Sequence, residues 1–224
     1  MKLVLIPGLD GTGELFAPLL SAMPQVACQV LSYPPDLEMD YAAHEAHVRA
    51  RLPAEDFILL AESFSGPVGV SIAASPPANL RGLILCASFA SNPLPLFGPL
   101  SRLIAAFPAM KIPPALFAPF LYGRHGSREL RRLHAQAMAR VSAATLRARV
   151  AAILRVDYSH LLRRIEFPML YLQAVRDRLV PRSALTRIQR IRPDIEVAEI
   201  DGPHFLLQTR PTSCAERIVQ FIQP

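Results

Sequence analysis

A chain of 224 residues, 51% of them hydrophobic, is long enough for one α/β domain with a substantial core and too apolar for a disordered segment. No stretch reaches the roughly 18 uninterrupted apolar residues of a membrane-spanning helix, and three widely spaced cysteines (Cys28, Cys86, Cys214) with no C-x-x-C pair argue against a disulfide framework or a thiolate metal site. The net charge of +6 is unevenly spread: positions 124–164 hold ten arginines against Glu129 and Asp157, so the rest of the chain is net negative.

The first apolar run, Leu3–Ile6, stops at Pro7-Gly8, too short for a signal-peptide core, and reads as a strand of a cytoplasmic protein. Further strand-like runs are Val26–Ser32, Phe57–Ala61, Leu83–Cys86, Met169–Gln173 and Glu196–Ile200. Helical patterns lie between them at about Glu14–Met23, Tyr41–Arg51, Gly66–Ala74, Arg182–Arg190 and Thr212–Ile222, with breakers such as Pro34-Pro35-Asp36 and Pro76-Pro77 in the connections. This alternation is the pattern of a parallel sheet covered on both faces. One region breaks it. Between Cys86 and Phe167 no strand-like run occurs; the stretch begins Pro-, Leu- and Phe-rich and continues as arginine-rich helix. It reads as a helical cap over 89–164, inserted into a core formed by 1–88 and 165–224.

Ala61-Glu62-Ser63-Phe64-Ser65-Gly66 joins a buried strand to a helix. A nucleophilic serine at such a turn needs small residues two before and two after it, because strand and helix almost collide there. Ala61 and Ser65 stand where glycine is usual, which loosens the match, and Ser65 is a competing serine. The glycine-rich Pro7-Gly8-Leu9-Asp10-Gly11-Thr12-Gly13 follows the first strand and can aim a backbone N–H at a developing oxyanion. Its donors would be the N–H groups of Leu9 and Phe64. The loop matches neither the P-loop nor G-x-G-x-x-G, so no nucleotide cofactor is implied. Asp177, just past the fifth strand, supplies an acid, and His204, in the Gly202-Pro203 loop after the last strand, supplies a base. Asp201 is a weaker candidate acid, only three residues before His204.

The order Ser63…Asp177…His204, each at the C-terminal end of a strand, resembles the α/β-hydrolase superfamily over essentially the whole chain, starting at that superfamily's third strand. Within it the chain looks most like small bacterial carboxylesterases with a helical cap, the pimeloyl-acyl-carrier methyl ester esterases among them. The resemblance implies an α/β-hydrolase fold with a mostly parallel sheet of about six strands. It also implies acyl transfer: Ser63 attacks a carbonyl, His204 moves the proton, Asp177 holds the imidazole, and water releases the acyl group. Neither cofactor nor metal is required. The expected substrate is an ester of a small or medium hydrophobic acid. The alternatives are a thioesterase using the same residues and a non-catalytic ligand-binding protein on the same fold.

His44 and His47, at i and i+3 of a helix, read as a solvated face rather than metal ligands. His125, His134 and His160 add to the charge of the cap. The apolar early cap, including Phe97, Leu103 and Phe107, packs on the core and lines an acyl pocket. No recognition motif accompanies the arginines to suggest nucleic acid. They read as a solvated helix face or as a landing site for an acidic acyl carrier protein or coenzyme A.

Overall fold

In a computed structural model, residues 1–95 and 114–223 are described. Six strands, β1 (Lys2–Ile6), β2 (Cys28–Val30), β3 (Phe57–Glu62), β4 (Leu80–Cys86), β5 (Met169–Ala174) and β6 (Glu196–Ile200), form one sheet in the order β2-β1-β3-β4-β5-β6. Every neighbouring pair is parallel. β3 and β5 are buried along their whole length because helices cover both faces, which is why they read as continuous apolar runs. Successive side chains alternate between two cores. Val4, Ile6, Leu59, Ala61, Leu85 and Tyr171 meet α2 (Tyr41–Arg49), α3 (Gly66–Ala74) and α7 (Arg182–Ile191) on one side. Leu3, Leu5, Leu60, Cys86 and Leu172 meet α1 (Ala17–Ala22) and α8 (Pro211–Ile222) on the other.

The run Val26–Ser32 yields only three residues of regular strand. β2 is the sheet edge, paired to β1 alone, and its residues are half-buried. The ladder still extends one step each way through Leu3 N to Ala27 O and Leu31 N to Leu5 O, both 2.9 Å.

Helix α4 (Pro114–Leu121) precedes the arginine-rich region, which is itself helical: α5 (Arg128–Arg140) and α6 (Ala143–Ile153), followed by a 3-10 turn at Ser159–Arg164. Ser127 and Ser142 cap α5 and α6 by accepting from Leu130 N and Thr145 N, each at 3.0 Å. Phe97, Leu103 and Phe107, expected to line an acyl pocket, lie outside the described residues. The points where the chain leaves and rejoins the sheet layer are tied together: Asn92 N donates to Val156 O and Tyr158 N to Ala90 O, both at 2.8 Å.

Where β3 turns into α3, Ser63 takes a φ of 47°, a left-handed value that costs a non-glycine residue energy. The crowding expected at this turn is relieved further along. A Cβ at Gly66 would come within 1.9 Å of Ser88 Oγ, and one at Gly69 within 2.8 Å of the Ala61 Cβ. Ala61 is therefore tolerated because the facing helix residue is glycine. Gly69→Ala is expected to cost about 1–3 kcal/mol through overpacking. Adding Ala61→Gly should recover much of that loss, so urea midpoints for the two single variants and the double would be non-additive. Additive midpoints would break the link between the two positions.

Candidate active site

Four loops at the C-terminal edge of the sheet converge. β3 ends at Glu62 and delivers Ser63, half-buried, at the turn. The loop after β6 delivers His204, 5% exposed, and the loop after β5 delivers Asp177, whose side chain is 2% exposed. Ser63 Oγ lies 2.9 Å from His204 Nε2, and His204 Nδ1 lies 2.7 Å from Asp177 Oδ2. The other Asp177 oxygen accepts from Leu179 N and Val180 N at 2.8 and 2.9 Å. The two loops are stitched to each other: Val175 N donates to Ile200 O and Arg176 N to Gly202 O, both 3.0 Å. Arg176 also ion-pairs with Asp201, which removes that carboxylate from consideration as the partner of His204. Ser65, the competing serine, is fully buried, 2.6 Å from the Tyr33 hydroxyl and donating to Pro7 O. It has no path to a substrate.

The glycine loop lies against the serine: a Cβ on Gly8 would sit 3.8 Å from the Ser63 Cβ. Gly11 and Gly13 have φ of 72° and 76°, which let the loop curl back without strain. The Leu9 N–H has no acceptor among the described residues. Phe64 sits in the first turn of a 3-10 segment, where N–H groups have no intrahelical partner. The plane of the Ser63–Phe64 peptide, which carries that N–H, is fixed from behind by Ser88 Oγ donating to Ser63 O at 2.6 Å. The next carbonyl, Phe64 O, accepts from the Tyr41 hydroxyl at 3.1 Å.

Glu62, beside Ser63 in sequence, is buried. Its carboxylate accepts from Gln208 Nε2 at 2.8 Å and from the Gly8 amide. Burial first, and then the negative charge of Asp10, raise its pKa to about 7 despite those hydrogen bonds. His204 is pulled both ways. Burial is the largest influence and disfavours its charged form, but the charge and hydrogen bond of Asp177, with Glu62 assisting, leave its pKa above the ordinary histidine value.

Sequence reasoning missed Glu62, Ser88, Tyr41 and above all Arg149. Arg149 was counted with a solvated basic face. It is instead fully buried, with Nη1 2.8 Å from both Leu9 O and Asp10 O and Nη2 3.0 Å from Pro34 O. The one available signal was helical spacing: Thr145, Arg149 and Ala152 share the buried face of α6. The solvated reading of His44 is likewise corrected. Its ring is fully buried, 4.6 Å from Tyr33 and 5.1 Å from Phe64, and burial pushes its pKa down to about 4. His134 is also buried, between Tyr122 and Phe205, and burial lowers its pKa, so it adds nothing to the charge of the region at neutral pH. Among the described residues, no group of three or more His, Cys, Asp and Glu side chains is placed to hold a metal ion, and no helix is long and apolar enough to cross a membrane.

A wholly parallel six-stranded sheet with helices on both faces and a serine at a left-handed strand-to-helix turn define a hydrolase of the α/β-hydrolase superfamily. The chain belongs to the family described as "Serine aminopeptidase, S33", whose sequence model matches residues 34–202. A search of curated protein sequences returns no match. Among solved structures, the chain is similar to a hydrolase from Pseudomonas aeruginosa PA01, at 20% identity over 100% of this chain and 90% of that one, with a TM-score of 0.82. It is also similar to the enol-lactonase from Burkholderia xenovorans LB400, at 15% identity over 100% and 91%, with a TM-score of 0.81. A thermophilic esterase from Thermogutta terrifontis gives 18% identity over 100% and 89%, again with a TM-score of 0.81. At these identities the likeness is one of fold.

Proposed function

We propose that this protein is a serine hydrolase of carboxylic esters with small to medium hydrophobic acyl groups, working through an acyl-enzyme on Ser63. The observation that carries the reading is the unbroken hydrogen-bonded chain from Ser63 Oγ through His204 to Asp177. With Nδ1–H donated to Asp177, Nε2 is left as the acceptor for the Ser63 hydroxyl proton. Ser63 Oγ then attacks the substrate carbonyl, and the new oxyanion is met by the N–H groups of Leu9 and Phe64. His204 returns the proton to the leaving alcohol and afterwards activates the water that frees the acid. Within the 89–164 insertion, the helices α4, α5 and α6 serve as the cap over this site. Ester cleavage is favoured over other acyl transfer because the structural relatives named as a lactonase and an esterase act on oxygen esters; the aminopeptidase description of the family makes amides the control.

A thioesterase reading has one observation in its favour. Eight of the ten arginines between 124 and 164 remain exposed, among them Arg128, Arg131 and Arg132 on α5, a surface suited to the phosphates of coenzyme A or to an acidic acyl carrier protein. Labelling with a fluorophosphonate, wild type against Ser63→Ala, tests the nucleophile. A panel of p-nitrophenyl esters, acyl-CoA thioesters and aminoacyl anilides then tests the substrate class. Labelling that survives Ser63→Ala sinks the proposal, and turnover confined to anilides sinks its ester half.

The two buried ionisable groups set a pH dependence. His204 must be neutral to act as a base, so kcat/KM should rise with pH through a value above that of an ordinary histidine. Glu62 titrates in the same range, to about 7, and its anion helps hold the imidazolium. Glu62→Gln removes that anion, so the acidic limb of the profile should move to lower pH. An unmoved limb would show that Glu62 does not reach His204 electrostatically.

A further inference from the structure

We propose that Arg149 is a positioning residue for the oxyanion loop, its guanidinium holding the carbonyls of Leu9 and Asp10 so that the N–H face of that loop is turned to Ser63. The inference rests on the ester-hydrolase reading above and adds to it a residue contributed by the cap.

A fully buried guanidinium is expensive unless its charge is met. Arg149 forms no ion pair with a carboxylate among the described residues. Its planar fork is spent on three backbone carbonyls, Leu9 O, Asp10 O and Pro34 O, with the Tyr33 ring 5.6 Å below it. Burial lowers its pKa to about 10, which leaves it a cation at neutral pH. The loop is shaped to admit it: a Cβ at Gly11 would come within 2.5 Å of Nη1.

The loop's carbonyls are all turned back into the protein. Pro7 O accepts from Ser65 Oγ, Gly8 O from Gly11 N at 3.1 Å, Leu9 O and Asp10 O from Arg149, and Gly11 O from Tyr33 N at 2.7 Å. An oxyanion site tolerates no carbonyl lone pair facing the developing charge, and its donors must be fixed before the reaction rather than during it. Three of these five carbonyls are held by groups that any rigid loop could use. The Leu9 and Asp10 pair is held by one side chain reaching in from 140 residues away. Without it, two peptides next to the Leu9 N–H lose their anchor.

The test compares wild type with Arg149→Lys, Arg149→Met and Arg149→Ala on p-nitrophenyl butyrate, with active sites titrated by fluorophosphonate so that misfolded protein drops out. Loss of the loop anchor is expected to lower kcat per titrated site by about 10²-fold, the scale of losing one oxyanion-hole donor, with KM changed little. Affinity for a trifluoromethyl ketone, whose hemiketal oxygen occupies the oxyanion position, should fall by the same factor. Guanidinium ion at millimolar level should restore part of the activity of Arg149→Ala, while the lysine variant, with a point charge in place of a fork, stays impaired. Unchanged kcat per site, a loss confined to KM, or an unchanged ketone affinity would each overturn the proposal. So would the absence of titratable protein in all three variants, because that assigns the cation to folding. If the wild type itself is not labelled at Ser63, the ester-hydrolase reading fails first, and the two failures are thereby told apart.

Discussion

Ser63→Ala and His204→Ala are each expected to lower kcat on a p-nitrophenyl ester by about 10⁶-fold, and the double variant is expected to lose no more than either single one. The reason is that both atoms serve one proton path. Ser63 Oγ is a poor nucleophile until its proton leaves, and the acceptor for that proton is His204 Nε2, 2.9 Å away. Removing either end removes the whole path, so the losses cannot add. What remains is catalysis by binding and by the donors around the oxyanion, roughly 10³–10⁴ over water. KM should change little, because neither atom is needed to seat the ester. Steady-state kinetics of the two single variants and the double, with circular dichroism to show retained folding, checks this. A double variant markedly slower than both singles would mean that the two residues act on separate steps.

Asp177→Asn is expected to cost about 10⁴-fold in kcat while leaving the loop in place. One Asp177 oxygen anchors the loop by accepting from Leu179 N and Val180 N, and an asparagine oxygen can take over that duty. The amide nitrogen then faces His204 Nδ1. A donor in that position makes Nδ1 the unprotonated nitrogen and puts the hydrogen on Nε2, where it confronts the Ser63 hydroxyl instead of accepting from it. The variant would also lose the charge that raises the His204 pKa, so the acidic limb of its residual activity should move downward. Fluorophosphonate labelling of Ser63 should slow in parallel with kcat. Labelling at the wild-type rate would mean that Asp177 does not set the imidazole tautomer.

The features visible in the sequence were those whose cause is local. A continuous apolar run, Phe57–Ala61, that ends just before Glu62-Ser63 and is followed by Gly66-Pro67 at the start of α3 specifies a strand, a turn and a helix within a dozen residues. Loop breakers marked where Asp177 and His204 sit beyond β5 and β6, and these two side chains lie with Ser63 in one hydrogen-bonded chain. The features that stayed hidden depend on partners far along the chain. Glu62 is a polar residue in an otherwise apolar strand, and its burial makes sense only with Gln208, 146 positions later. Arg149 vanished into a count of ten arginines, because net charge treats a buried fork and a solvated side chain alike. β2 was drawn too long because apolar content cannot distinguish an edge strand, with one neighbour, from a central one with two.

The tie between residues 90–92 and 156–158 has a bearing on how such a protein can be re-engineered. With the two ends of the intervening segment held side by side, the strands themselves stay in register whatever lies between those ends. Segments of this kind are natural units for transplantation, exchanged between relatives to change what an enzyme accepts. Here the unit carries a liability. A graft that replaced 92–156 wholesale would exchange the whole intervening segment and remove Arg149 in the same stroke. A chimera built this way should therefore bring its own forked cation to the carbonyls of Leu9 and Asp10, or keep α6 and exchange only what precedes it.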